Sequence, residues 1–383
     1  MFVRWDNLRI DSEEHASLPG YREPAVVRHF DAPEALDTRF YEVRAKSALN
    51  RVPERSRMPF RWTVNPYRGC SHACVYCFAR PTHTYLDMGA GRDFEKEIVV
   101  KVNAPEVLRA ELGRRSWKRE HVAMGTNTDP YQWVEGRYKL MRGIWEALRD
   151  HANPCSVLTK SPLVLRDLDL MVEIAAVAEI AANVSVPTID EKAWRATEPH
   201  TPNPRARIEA VAELNRAGIP AGVLVAPLMP GINDDPRQVE MILQAAGDAG
   251  ATGISGITLH LRGEVRAIYM EWLRSYRPDL VPRYEELYRR GAYAPREEQD
   301  RHRALLRAVR ARTPGAPPRR SPADSRGVIR RAPAERHLAE RDPGDGNEAF
   351  TLLRVRGRRE EAQAPVVPAQ AAHAATVRQE ALF

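Results

Sequence analysis

Three of the four cysteines fall within eight positions, in the run NPYRGCSHACVYCFAR, where Cys70, Cys74 and Cys77 keep a C-x3-C-x2-C spacing. Three thiolates on one short loop suit three corners of an iron-sulfur cluster, whereas a closed structural zinc site needs a fourth protein ligand. His72 inside the loop, or Cys155 far downstream, is available as that fourth ligand, so zinc stands as the alternative at this point. No second ligand pair with finger-like spacing accompanies the three cysteines, which weighs towards the cluster. A further signal is Lys160, which ends the run CSVLTK. Only seven of the 58 basic residues are Lys, so one at a strand's C-terminal end in an Arg-dominated chain calls for explanation, with a solvated strand-end charge as the ordinary alternative.

Such residues need a scaffold that gathers distant loops. From residue 61 to 261 short apolar or β-branched runs alternate with amphipathic helical stretches, the pattern of a parallel sheet or barrel. The strand runs are RWTVNPY, HVAMGT, CSVLTKS, NVSVPT, PAGVLVAPL and GISGITLHL, with EIVVKV as an extra strand outside the series. Right-handed crossovers bring the C-terminal ends of parallel strands to one rim. Those ends carry the cysteines, the stretch 126–132, Thr159 and Lys160, the stretch 185–190 and the turn PLMPGIND, so the active site is expected there. Residues 1–55 mix charge and Pro and read as an irregular N-terminal extension. Residues 56–303 form the core domain, closed by helices in GEVRAIYMEWLRSYRP, RYEELYRR and PREEQDRHRALLRAVR. Residues 304–383 hold a helix end and a Pro/Arg-rich tail expected to be mostly disordered, with FTLLRVR its one orderable piece.

The 43% apolar fraction supports a buried core, while 28% charged residues and a mean hydropathy of −0.49, with no long uncharged apolar run, argue against a membrane-spanning protein. A formal charge of +7 invites a nucleic-acid reading. From Ala311 onward, however, thirteen Arg against nine acidic residues place +4 of that charge in the tail, so the basic balance says little about the core. Few cysteines and an N-terminus without an apolar signal core point to a reducing cytoplasm.

The cysteine loop resembles the cluster motif of the radical S-adenosylmethionine (SAM) superfamily. Together, NPYRGC, GTNTDPYQWVE, TKSPLVLRDLDLM, EPHTPNPRAR and AGIPAGVLVAPLMPGIND resemble its spore photoproduct lyase-like branch, also described as DNA repair photolyase-like, and within it actinobacterial members. The match covers residues 59–261. The resemblance implies an α/β fold with a partial (β/α)6 TIM-like barrel, and a [4Fe-4S] cluster on Cys70, Cys74 and Cys77 with SAM at the open iron. It further implies reductive cleavage of SAM to methionine and a 5′-deoxyadenosyl radical, with electrons from a flavodoxin or ferredoxin. By the same resemblance Tyr76 lies near the adenine, and Thr126, Asn127, Thr128 and Asp129 accept from the SAM amino group. Lys160 meets the SAM carboxylate, Ser185 its methionine or ribose part, and Asp190 and Arg195 its ribose or carboxylate. Core packing for Tyr76, an Asx-type turn before Pro130 and an ion pair between Arg195 and Glu198 are the ordinary roles for these residues. Asp129, Tyr131 and Gln132 could face substrate instead, with Tyr131 the candidate for relaying a hydrogen atom.

The sequence departs from the true lyase at one point. That enzyme's hydrogen-donor cysteine lies near the end of the second barrel strand, and HVAMGTNT contains no Cys. Cys155 opens the third strand at its N-terminal end, far from the rim, and is expected to be a buried bystander. Reversal of thymine dimers is therefore not expected, and the substrate is unidentified, a nucleic-acid base or nucleotide being the candidate by family analogy. The competing class is a non-catalytic nucleic-acid-binding or scaffold protein with a structural metal on the three-cysteine loop.

Overall fold

The segment before residue 56 is more ordered than its charge pattern suggests. In the computed structural model, which describes residues 10–30, 37–54, 56 and 58–312, it contributes β1 (Ile10–Ala16), β2 (Ala25–Phe30), β3 (Arg39–Val43) and β4 (Leu49–Arg51). Next come β5 (Trp62–Val64) and β6 (Tyr67–Arg68), which lead into the cysteines, and β7 (Glu97–Lys101), which is the extra strand EIVVKV. A five-stranded sheet runs in the order β1-β2-β3-β7-β6. Its charges pair across strands instead of marking loops: Arg39 meets Glu97 at 2.8 Å and Arg28 meets Glu42 at 3.3 Å. Between those charges Phe40, Ile98 and Val100 are fully buried in one core cluster, and Val27, Val43 and Val99 in another. The expectation of an irregular extension is corrected accordingly.

The second sheet carries the alternating series. It adds β8 (Val122–Met124), β9 (Cys155–Thr159), β10 (Ile180–Ser185), β11 (Ala221–Leu228) and β12 (Ile254–Thr258) to β5, in the order β12-β11-β10-β9-β8-β5-β4. Every neighbouring pair from β5 to β12 is parallel, and β4 caps the edge antiparallel to β5. Among the described residues β12 does not pair with β5, so the sheet is not a closed ring.

Helices fill the crossovers: α1 (Arg92–Lys96), α2 (Ala104–Leu112), α3 (Glu135–Tyr138), α4 (Leu140–Asp150), α5 (Leu168–Ala175), α6 (Glu191–Thr197), α7 (Pro204–Arg216) and α8 (Pro236–Asp248). Pro105, Pro204 and Pro236 stand in first turns, where a missing N–H costs nothing. Leu108, Ile144, Trp145, Ile174, Val211 and Leu243 are fully buried and share one core with Val64, Val122, Met124, Val157, Val184 and Val223. Each large side chain so buried contributes about 1.5–3 kcal/mol, and together they tie the crossovers to the sheet.

Three further helices follow the sheet: α9 (Val265–Tyr276), α10 (Val281–Leu287) and α11 (Arg296–Arg312). Tyr269, Leu273, Tyr284 and Tyr288 build a separate core with Cys74, Tyr76, Met229, Leu259 and Leu261, so α9 and α10 back the cysteine loop directly. Helix α11 runs across residue 303 without a break. The Pro/Arg-rich tail, including FTLLRVR, lies outside the described residues. Among the described residues no helix is long and apolar enough to cross a membrane.

Candidate functional site

The cysteine loop begins at Gly69, whose φ of +80° excludes most side chains and whose Cβ would stand 2.9 Å from Ile98 Cδ1. Cys70 N–H then donates to the Phe94 carbonyl at 2.8 Å, and tight turns follow from Cys70 to Ala73, Cys74 to Cys77 and Cys77 to Arg80. Two buried side chains hold the loop's backbone. Arg80 donates to the carbonyls of Cys74 at 3.0 Å, Ala73 at 3.2 Å, Ala90 at 3.1 Å and Gly91 at 3.0 Å, and pairs with Glu95. Gln132 accepts from Ser71 N–H at 2.9 Å and donates to the Gly69 carbonyl at 3.1 Å. Val75 N–H reaches the Thr197 carbonyl at 3.1 Å, which docks the loop on the C-terminal end of α6.

Cys70 and Cys74 are buried and Cys77 half-buried, and none forms a disulfide. Burial, reinforced by Glu198, pushes the Cys74 thiol well up, and burial together with Cys70 pushes Cys77 to about 11. A bound metal is what would turn such thiols into thiolates. A tetrahedral zinc with bonds of about 2.3 Å holds its sulfurs about 3.8 Å apart. Among the described residues the one group of three metal-competent side chains with ligand atoms within 4.8 Å of one another is Asp234, Glu298 and His302. The three cysteine sulfurs do not meet that spacing.

Beside this loop the strand ends of β9 and β10 bring Lys160, Ser185 and Tyr76 together around Glu198. Lys160 Nζ donates to Ser185 Oγ at 2.7 Å, pairs with Glu198 Oε1 at 2.9 Å and lies 5.7 Å from the Tyr76 ring centroid. The Tyr76 hydroxyl donates to the same Glu198 oxygen. On its other oxygen Glu198 meets Arg207 Nη1 at 2.7 Å, both side chains being fully buried. Arg207 also bonds the carbonyls of Pro202 at 2.8 Å and Ser185 at 3.1 Å. Burial works to raise the Glu198 carboxyl, but Arg207 and then Lys160 overcome it and hold it at about 2. The result is an ammonium fixed at the rim, its position set by a carboxylate that is itself fixed from below.

The loop after β8 divides into two kinds of residue. Asp129 accepts from Thr159 Oγ1 at 2.6 Å, Lys160 N–H at 2.7 Å and Tyr131 N–H at 2.9 Å, and lies 3.4 Å from His72 Nδ1. Its carboxylate thus ties β8, β9 and the cysteine loop together. Thr128 donates to the Tyr67 carbonyl at 3.0 Å. Thr126 and Asn127 are half-buried and, among the described residues, bind no side-chain partner, which leaves them as open acceptors at the rim.

Four of the expected site residues have their side chains engaged within the fold. Tyr131 is fully buried, its hydroxyl donating to Asp167 at 3.0 Å and accepting from Trp145 Nε1 at 2.5 Å, so it presents no free hydroxyl to a substrate. Asp190 caps α6 by accepting from Ala193 N–H at 2.7 Å. Arg195 is exposed and pairs with Glu191 at 2.9 Å instead of Glu198, because residues four apart share a helix face. Gln132 holds the cysteine loop instead of facing substrate, and Cys155 is buried in the main core at the far end of β9. Arg80 and Arg207 have no foreshadowing in local pattern, since helical Arg ordinarily marks a solvated face; the run EPHTPNPRAR, which contains both Glu198 and Arg207, was the one available signal.

The family model described as the Radical SAM superfamily matches residues 64–243. An uncharacterized protein of Mycobacterium tuberculosis strain H37Rv is 49% identical over 282 residues, covering 74% of this chain and 83% of the relative. An uncharacterized protein of Acidianus two-tailed virus is 31% identical over 222 residues, or 56% of this chain and 71% of that protein. Among solved structures, spore photoproduct lyase complexed with dinucleoside spore photoproduct superposes with a TM-score of 0.53 at 16% identity, covering 72% of this chain and 80% of that one. A double mutant of that lyase with bound AdoMet and the same dinucleoside gives 0.52 at 17% identity, covering 72% and 79%. At those identities the likeness is one of fold.

Proposed function

The chain belongs to the radical SAM superfamily, and on that premise we propose that the rim built from the cysteine loop and the ends of β8, β9 and β10 is a SAM-cleaving active site. A [4Fe-4S] cluster held by Cys70, Cys74 and Cys77 would supply the electron that splits SAM into methionine and a 5′-deoxyadenosyl radical able to abstract hydrogen from substrate. The chain's own part is placement. Lys160 offers an ammonium for the SAM carboxylate, Thr126 and Asn127 offer acceptors for its amino group, and Tyr76 and Ser185 bound the space between. Asp129 serves this site by locking three loops, and Glu198 by aiming Lys160 and Tyr76.

The observation that carries this reading is the junction of a three-cysteine loop, its backbone satisfied by protein, with the Lys160–Ser185–Glu198 group. Sequential parallel strands with right-handed crossovers place the helices on one face, which supports a sheet curled into a partial barrel that is open between β12 and β5. Within residues 56–303 this is the core domain. A small electron carrier of the flavodoxin or ferredoxin kind would supply the electron, in a cytoplasmic setting. The substrate follows by analogy with the neighbouring lyase's dinucleoside ligand, so a nucleic-acid base or nucleotide is the first class to try. The reaction on it differs from the lyase's to the extent that this chain has no cysteine in HVAMGTNT, at the end of β8.

Anaerobic reconstitution tests the proposal. The expected outcome is a reducible [4Fe-4S] spectrum and formation of 5′-deoxyadenosine from SAM and dithionite. Bound zinc with no SAM cleavage would instead establish the loop as a structural metal site.

A further inference from the structure

The two faces of the main sheet are not alike. On one face Val64, Met124, Val157, Val184 and Val223 are buried against the crossover helices. The opposite parity brings Thr63, Ala123, Ser156, Leu158, Asn183 and Gly222 to the other face, where Ser156, Leu158 and Asn183 stay half-buried although their strands are internal. Parallel sheets are ordinarily apolar and covered on both faces. A face kept small and polar is reserved for something other than packing.

Strand register sorts this face into rows. Thr63, Ala123, Ser156 and Ala181 lie side by side. Asn65 precedes Pro66 and is therefore held extended, so it keeps the alternation and falls one row nearer the rim. That row continues through Gly125 and Leu158 to Asn183 and Gly222. Lys160 and Ser185 occupy the next row, consistent with their 2.7 Å hydrogen bond. Gly125 has φ +77° and passes so close to β9 that a Cβ would stand 1.8 Å from the Leu158 carbonyl oxygen, so no side chain rises between Asn65 and Leu158.

Asn65 is 3% exposed, yet among the described residues neither its Oδ1 nor its Nδ2 has a hydrogen-bond partner. The buried hydroxyl of Thr63, on the same strand and face, is likewise without one. Asn183, across the row, makes no side-chain hydrogen bond among the described residues either. Burying a carboxamide with both ends unpaired is costly, and folds leave such a group where something else completes it. A carboxamide offers an acceptor and a donor side by side, the complement of a planar lactam or amidine edge.

We propose that Asn65 and Thr63, with Asn183 across the row from Asn65, form a substrate subsite on this face, in the two rows below Lys160 and Ser185, for a planar group with adjacent hydrogen-bond donor and acceptor. The subsite rests on the reading of the rim as a SAM-cleaving centre and gives its substrate a chemical class. The adenine of SAM also presents such an edge, so the test separates the two sources.

The test uses the reconstituted full chain as wild type, Asn65→Val and Thr63→Val, with uridine and N3-methyluridine as probes read by saturation-transfer NMR. Wild type is expected to bind uridine about tenfold more tightly than the methylated probe, and Asn65→Val to lose about that factor, as one unpaired edge predicts. Asn65→Val should keep wild-type SAM affinity and 5′-deoxyadenosine formation, and should unfold at the same temperature or above, because it breaks no bond within the fold. Thr63→Val should behave likewise with a smaller loss of uridine. A fall in unfolding temperature of more than about 4 °C in Asn65→Val would show a structural bond and overturn the proposal. So would equal binding of the two probes, or loss of SAM affinity with uridine binding intact. If wild type discriminates the probes but makes no 5′-deoxyadenosine, the SAM-cleaving reading fails and the subsite stands.

Discussion

Cys70, Cys74 and Cys77 share one loop whose backbone is held by Arg80 and Gln132, whereas Asp234, Glu298 and His302 converge from the turn after β11 and from one face of α11. By proximity alone the second group is the better metal site, since its ligand atoms lie within 4.8 Å of one another. Its charges, however, are already answered. Arg301 pairs with Asp234 and, at 2.7 Å, with Glu298, and Arg283 reaches Glu298 at 3.2 Å. His302 Nε2 lies 3.2 Å from Asp234, and Thr258 takes its other ring nitrogen at 2.9 Å. A cation would have to displace a guanidinium. At the cysteine loop the guanidinium of Arg80 binds carbonyls instead, and burial pushes the thiols of Cys74 and Cys77 up further than Lys160 and Arg80 nearby pull them down. What separates a metal centre from a latch is donors whose burial is not offset, more than donors brought close.

The largest expected effect breaks or keeps that distinction outright. Cys70→Ala, Cys74→Ala and Cys77→Ala should each reduce iron per chain after anaerobic reconstitution to background and abolish SAM cleavage. Cys155→Ala and Asp234→Asn should retain both. Iron analysis with the visible spectrum decides it, and loss of iron in Asp234→Asn would put the two groups on the same footing.

Next in size is the buried pair below Lys160. Glu198→Ala leaves the fully buried Arg207 unpaired, and stranding one charge of such a pair costs roughly 3–5 kcal/mol. Urea unfolding of the full chain should show it, and replacing the pair together, Glu198→Leu with Arg207→Met, should recover most of the loss. Lys160→Ala should instead leave stability within about 1 kcal/mol, since it removes one partly exposed partner, and weaken SAM binding.

These residues also show what the sequence could and could not disclose. The cysteines and the six-run alternation depend on neighbours in the chain, so spacing and periodicity carry them. Lys160 and Ser185 are strand ends, and strand ends share a rim whatever the loops between them do. Gln132 acts on Ser71 across 61 positions and Glu198 on Tyr76 across 122, and no local pattern encodes such a meeting. Tyr131 misled because Asp167 and Trp145, which bury its hydroxyl, come from separate elements. The N-terminal strands were hidden because Arg39, read singly, looks like a loop charge, and only its pairing from β3 with Glu97 on β7 shows it to be a strand residue.

A smaller effect is expected at Gln132. Gln132→Leu removes both side-chain bonds to the loop backbone and strands Ser71 N–H and the Gly69 carbonyl in a buried place, at a cost of about 1–3 kcal/mol. Because the loop and not the sulfurs is disturbed, reconstituted iron should reach the wild-type level but leave faster to a chelator. An unchanged release rate would mean that Arg80 alone holds the loop.

The smallest effect isolates the latch. Burial works to raise the Asp234 carboxyl, but hydrogen bonds from His302 and Arg301 overturn that and hold it at about 2, below its ordinary 3.8. A depressed carboxyl contributes stability that is fully present above its unfolded value and is lost as pH falls from about 3.8 towards 2. Arg301 is 42% exposed, so solvent screens the pair and the contribution is on the order of 1 kcal/mol. The urea midpoint of the metal-free full chain should therefore fall between pH 5 and pH 3 more steeply in wild type than in Asp234→Asn, while at pH 7 the variant sits slightly below wild type. If Asp234 were instead a metal ligand, the difference between wild type and variant at pH 7 would grow on adding a divalent cation. A difference that stays constant with added cation, together with the shallower acid limb, identifies the group as the fastening of α11 to the turn after β11.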